Sequence, residues 1–168
     1  MIVVTSSKKN KGKLFNEILL LSKIREALMN DKTAKKICKE KDIKSWFLKG
    51  VPIKFEDMKQ SAKTVDSHII LNRKLMSKPF NIIMRYVIHE LAHSIQHVQS
   101  AKKKYKKDQD REYLDKDTEI EAFQYQIEFD SKNRGKDKAE EYVDGLLDYH
   151  KIRGRDRKSK KEELLGDS

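Results

Sequence analysis

One cysteine, Cys38, stands in a chain of 168 residues. No intrachain disulfide can form, and a cysteine-ligated zinc ribbon has no cysteines to build it. A reducing, intracellular address fits this usage, so a cytoplasmic protein is expected. No apolar run approaches the ~20 residues needed to cross a bilayer. The opening MIVVTSSKKNKGK offers three apolar residues before polar ones, too few for a signal peptide. No membrane partner is expected. Internal repeats are also lacking. Apolar residues (37%) are slightly outnumbered by charged ones (39%), enough for one core but not for two independent ones.

The formal charge of +11 is spread unevenly. Residues 1–50 hold 13 Lys and Arg against 5 Asp and Glu, whereas residues 101–150 hold 11 against 14. The last 18 residues hold 7 against 4. A surface with basic ends attracts polyanions, so nucleic acid is a candidate partner through the basic surface and the tail.

Residues 14–30 have the spacing of an amphipathic helix, with Leu14, Ile18, Leu21 and Leu28 on one line and Phe15, Leu19 and Ile24 widening it. Asp31 or Thr33 can cap a second helix through Lys41. Trp46 and Phe47 are expected in the core or in a lid. From Val51 the period shortens to two: VPIKFEDM and AKTVDSHIILN read as strands, with Pro52 tolerated at a strand start or edge. Phe80, Met84, Val87, Leu91, Ile95 and Val98 then form a helical stripe, with Pro79 suited to the first turn. A charged loop follows. Thr118, with Glu121 three residues on, starts another helix. Residues 137–152 give a last helix. Residues 153–168 have little to bury and read as a basic, mobile tail. The reading is one α+β domain over residues 1–152 plus that tail.

Within the stripe, RYVIHELAHSIQH sets His89 and His93 at i and i+4, one turn apart on one face, where both imidazoles can reach a single ion. Zinc accepts neutral imidazole and prefers four ligands. Glu90 is rotated about 100° from His89, beside the ion but off the ligand line. There it can act as a general base toward water. Ala92 and Ser94 leave room.

A third ligand must come from elsewhere, and His97, Glu119, Glu121, Glu128 and His150 are the candidates. His97 extends the same helix, and three histidines on one straight helix converge poorly. Glu121 is favoured: it heads a second amphipathic helix, and small Ala122 after it permits close helix approach. Glu119, two residues away, points to another side.

HELAH followed by EIEAFQYQIEF resembles the gluzincin metallopeptidases, and most of all the small, compact ones that include the ImmA/IrrE-like group of bacteria and mobile elements. The resemblance covers roughly residues 51–130. It implies a zincin-like domain in which His89, His93 and Glu121 hold one zinc ion and Glu90 is the base. It further implies a short antiparallel or mixed sheet, with a strand such as Ser67–Asn72 bordering the cleft and pairing with an extended peptide. Thermolysin-like members carry an aspartate four residues after the ligand glutamate, to support the first histidine; this chain has Tyr125 there. Gln124, Glu128 or a backbone carbonyl are the substitutes, and Tyr125, Tyr142, Tyr149 and His150 the candidates for stabilising an oxyanion.

The expected function is therefore zinc-dependent hydrolysis of peptide bonds in a protein or peptide substrate. A protease of DNA-bound proteins resembling the SprT group shares the basic charge, but that group uses a third histidine. A non-catalytic, zinc-stabilised nucleic-acid-binding or regulatory protein has no use for Glu90. Small size, abundant lysine and an intracellular address suggest a phage or other mobile-element origin.

Overall fold

The computed structural model describes residues 6–100 and 112–166, and only the backbone of residues 6–11, 13 and 100. The described residues form an α+β fold of seven α-helices and a three-stranded mixed sheet. The lysine-rich segment 101–111, read as a charged loop, lies outside them.

Three helices come first: α1 (Ser6–Asn30), α2 (Lys32–Glu40) and α3 (Phe47–Gly50). Asp31 caps α2, its side chain accepting from Ala34 N at 2.8 Å. Helix α1 is longer than its apolar stripe suggests, and the apolar side chains described in its first half are not covered. Ile24 and Leu28 are fully buried, but Leu14, Phe15, Ile18 and Leu19 are all more than half exposed. Spacing identified the apolar face, but this part of the helix runs past the elements that could cover it. Trp46, expected inside or in a lid, is 70% exposed.

The sheet comprises β1 (Ile53–Glu56), β2 (Ala62–Val65) and β3 (His68–Asn72), in the order β1-β3-β2. The stretch AKTVDSHIILN is thus a hairpin rather than one strand. Val65 pairs with His68, and Asp66 and Ser67 between them have φ of 49° and 63°. Two successive left-handed residues are what a tight two-residue hairpin turn requires. Aspartate and serine supply them here instead of Asn-Gly, so the turn carries no strong sequence signal. Strand β3 is therefore central, parallel to β1 and antiparallel to β2. Both its edges are occupied, so the peptide-pairing strand expected at Ser67–Asn72 has no free ladder. The outer strands β1 and β2 each have an edge left unpaired among the described residues, and β2 is the one that reaches Glu90, through Thr64.

Helix α4 (Phe80–Ser100) lies beneath the sheet and buries Ile83, Met84, Val87, Ile88, Leu91 and Ile95 in the main core. Helix α5 (Asp117–Arg134) packs against it, preceded by a single 3-10 turn, Tyr113–Asp115. Helices α6 (Lys136–Tyr149) and α7 (Gly154–Leu165) follow. Together with α5 they enclose a second, smaller apolar cluster of Leu114, Phe123, Ile127, Ala139, Val143, Leu147 and Leu164.

Most of the expected tail is thus helix α7, anchored at Leu164, which is fully buried. Its basic residues make internal ion pairs. Arg157 reaches Asp144 at 3.0 Å and Asp148 at 2.8 Å, and Lys161 reaches Asp144 at 2.9 Å. The short apolar signal at Leu164–Leu165 was outweighed in the sequence by the charges around it. None of the described helices is long and apolar enough to cross a membrane.

Candidate metal centre

His89 and His93 occupy successive turns of α4, at the end of its buried stripe, and their Nε2 atoms lie 3.1 Å apart. His89 is 6% exposed and stacks edge-on against Phe123 of α5, with ring centroids 4.6 Å apart. The third member of the cluster is Glu119. Its Oε2 lies 3.5 Å from His89 Nε2 and 3.3 Å from His93 Nε2. These three are the one group among the described residues placed to share a metal ion.

Helix rotation explains why it is Glu119. Positions 119 and 121 are separated by about 200° around a helix. Ala122, Phe123 and Gln126 follow Glu119 by three, four and seven residues, and all three are buried. Glu119 thus begins the face of α5 that packs on α4. Glu121 begins the other face, with Tyr125 and Glu128, directed at α2. Its Oε1 pairs with Lys41, and its Oε2 accepts from Gln96 Nε2 at 2.8 Å. Sequence reading was right that the two glutamates face different ways and put the wrong one at the histidines. The small residue Ala122 after Glu121 drew the choice, whereas the buried series 122, 123, 126 carried the information.

A tetrahedral zinc site with bonds of about 2.0–2.1 Å has ligand atoms about 3.3 Å apart. The observed separations of 3.1, 3.3 and 3.5 Å fit that spacing. Glu119 Oε2 is buried and accepts no well-formed hydrogen bond. Three lone-pair atoms converging without a donor between them would be an unfavourable arrangement unless a cation or protons occupy the centre. Burial pulls the His93 imidazolium down, but Glu119 and Glu90 outweigh it and raise its pKa above the usual histidine value. Burial pushes the Glu119 carboxyl up, and the two histidines override that, holding it well below the ordinary carboxylate range. The donor set can therefore hold a divalent cation.

Glu90 is 6% exposed and faces the sheet. Thr64 on β2 lies with its hydroxyl 2.7 Å from Glu90 Oε2 and 3.0 Å from the Glu90 carbonyl. Of the remaining candidates, His97 is exposed, one turn beyond His93, and stands outside the cluster. Glu128 pairs with Lys36 at 2.6 Å. Tyr125 donates to Glu40 at 2.6 Å, Gln124 donates to the Glu163 carbonyl at 2.8 Å, and Tyr149 is 81% exposed. Tyr142 lies under the guanidinium of Arg85, one turn before His89 on α4. None of the substitutes suggested for the missing aspartate reaches a histidine. Instead Gln96 supports the second histidine, its Oε1 lying 2.8 Å from His93 Nδ1.

Sequence reading also missed Tyr113. Burial raises its pKa, and Glu119 and Glu90 raise it further, so the phenol keeps its proton across neutral pH. The ring stacks on His150 with centroids 5.4 Å apart and planes 13° apart. Tyr113 lies in a non-periodic charged segment, where no pattern distinguishes it from a solvent-facing tyrosine. Lys160 of α7 braces that segment, donating to the Leu114 carbonyl at 3.0 Å and pairing with Asp115 at 2.9 Å.

No family model matches the chain, and no significant match is found among curated proteins or solved structures.

Proposed function

We propose that the protein is a zinc-dependent peptidase of the gluzincin type, with His89, His93 and Glu119 as ligands and Glu90 as general base. The observation that carries this reading is the convergence of two imidazole nitrogens and one carboxylate oxygen at zinc spacing, with a buried glutamate directly beside them. Three ligands among the described residues match the count of catalytic zinc sites, which leave a position for water or substrate, where structural sites use four. A carboxylate in the third position favours this reading over one resembling the SprT group. The internal ion pairs of α7 weaken the case for a nucleic-acid arm there.

When bound, zinc would polarise the scissile carbonyl and lower the pKa of a water toward ~7. Glu90, held by the Thr64 hydroxyl on one oxygen, is placed to accept a proton from the attacking water and return it to the departing amine. Tyr113, protonated at neutral pH, donates toward the oxygen on which negative charge develops. An extended peptide lies along the unpaired edge of β2, where backbone hydrogen bonds demand little of its sequence.

The test is zinc content and cleavage of an unstructured protein such as casein, with Glu90→Gln alongside. Zinc retained and cleavage lost in the variant supports the reading; equal cleavage removes Glu90 from the mechanism.

A further inference from the structure

We propose that Gln96 is a positioning residue that fixes which nitrogen of His93 faces the cluster, and that Glu121, backed by Lys41, holds Gln96 in place. Gln96 is 3% exposed and uses both ends of its amide. Its Nε2 donates to the Thr118 carbonyl at 3.0 Å and to Glu121 Oε2 at 2.8 Å. A carbonyl and a carboxylate can only accept. The amide nitrogen must therefore face them, which leaves Oε1 toward His93 Nδ1 at 2.8 Å. That oxygen can only accept in turn, so the proton sits on Nδ1. In the neutral ring, the lone pair is then on Nε2, the atom 3.1 Å from His89 Nε2 and 3.3 Å from Glu119 Oε2.

The orientation of Gln96 depends on Glu121. Without Glu121 only the Thr118 carbonyl would hold the amide; if it turned over it would present its NH₂ to His93, move the imidazole proton to Nε2 and point it into the cluster. The other oxygen of Glu121 pairs with Lys41 at the end of α2, so the chain of contacts runs from α2 through α5 to α4. His89 has no comparable support: its Nδ1 is buried with no hydrogen-bond partner among the described residues. The protein thus presets one of its two histidines. Such supporting contacts set ring orientation and ligand basicity, and their loss costs roughly 10–100-fold in metal affinity.

The affinity arm of the test rests on the metal reading above, but the tautomer arm does not. Metal-free protein labelled with ¹⁵N histidine is examined by long-range ¹H–¹⁵N correlation at a pH where His93 is neutral, and zinc affinity is measured by chelator competition. Wild type is expected to show His93 with its proton on Nδ1. Gln96→Leu is expected to lose that single tautomer and to bind zinc about 10–100-fold more weakly, with cooperative unfolding kept. The exchange variant Gln96→Glu/Glu121→Gln restores an acceptor at His93 and an amide donor beneath it, at the cost of the donor to the Thr118 carbonyl, and is expected to recover the tautomer and part of the affinity. A role in packing alone would not be rescued at the imidazole this way. His93 protonated on Nε2 in wild type overturns the proposal, as does Gln96→Leu with unchanged tautomer and affinity. If Gln96→Leu does not fold, wild type and the exchange variant decide by the same two readings. If wild type takes up no zinc, the metal reading fails while the proton position on His93 still settles the role of Gln96.

Discussion

His89 Nε2 and His93 Nε2 stand 3.1 Å apart on successive turns of α4, and Glu119 Oε2 completes a triangle with them from α5. The fold is built to hold this triangle: α4 is fixed by the main core, and α5 is fixed against it by Ala122 and Gln126. Purified protein should carry about one zinc per chain, the stoichiometry of a mononuclear site. His93→Ala should lose it. The sharper comparison is between two glutamates. Glu119→Gln replaces an anionic ligand by a neutral one and should cost most of the affinity, whereas Glu121→Gln, outside the triangle and still able to accept from Gln96 through its amide oxygen, should cost less. Titration against a chromophoric chelator gives the ranking, and the reverse order would make Glu121 the ligand.

Glu90 and Thr64 form a pair of a different kind. Glu90→Gln keeps size and hydrogen-bonding reach but removes basicity, so zinc content and melting temperature should hold while cleavage falls ~10²–10⁴-fold. Thr64→Val removes the hydroxyl that faces the carboxylate and keeps the β-branched shape. A hydrogen bond to a charged group is worth about 1.5–3 kcal/mol, which corresponds to roughly 10–100-fold if it acts fully on the transition state. The loss should appear in kcat rather than KM, because Thr64 orients the base and does not hold substrate. A change in KM alone would make Thr64 part of the peptide-binding edge instead.

The sequence disclosed the helices and the HELAH motif more readily than the site's supporting parts. His89, Glu90 and His93 are legible because an i, i+4 pair on an apolar helix has few alternative meanings. The Glu119–Glu121 choice turned on the rotation of α5 against α4, a tertiary quantity that a local small residue does not report. Asp66 and Ser67 hid a hairpin, because left-handed backbone at those residue types is permitted but not signalled. Gln96 and Tyr113 were invisible for another reason: Gln96 is oriented by Thr118 and Glu121, and Tyr113 stacks on His150, all distant in sequence. Helix α7 was masked by composition. Its one deeply buried residue, Leu164, sits among charges that are satisfied by Asp144, Asp148 and Asp115 on other elements.

Those charges make α7 sensitive to acid. The Lys161 ammonium hydrogen-bonded to Asp144, offset in part by burial and aided by Arg157, lowers the Asp144 pKa below its ordinary 3.8. A depressed carboxylate contributes stability that is present above its unfolded pKa and lost as pH falls through the folded value. Wild type should therefore melt above Asp144→Asn at neutral pH. The gap should close as the pH is lowered through about 4 and beyond, the region of the unfolded carboxylate. Melting temperatures of both proteins across that range check the sign. A gap that widens in acid would mean that the pairs with Lys161 and Arg157 do not stabilise the helix.

Removing residues 153–168 should be costly, and it should reach the metal centre. The truncation uncovers Leu114, Phe123, Ile127, Val143 and Leu147, which close around Leu164. It also removes Lys160, whose bonds to the Leu114 carbonyl and Asp115 hold the turn that carries Tyr113. Leu164→Ala alone should cost about 2–5 kcal/mol, as for other buried leucines, which in a chain of this size lowers melting by on the order of 10 °C. Lys160→Met separates the two effects. It keeps the aliphatic stem against the cluster and removes the charge, so stability should change little, while loss of order at Tyr113 lowers kcat. Zinc affinity should stay near wild type, because His89, His93 and Glu119 are held by α4 and α5. Melting temperature, chelator competition and casein cleavage on the three variants form the comparison. A truncated protein with unchanged melting would mean that α7 is the mobile tail its composition suggests, and unchanged kcat in Lys160→Met would detach Tyr113 from the support of α7.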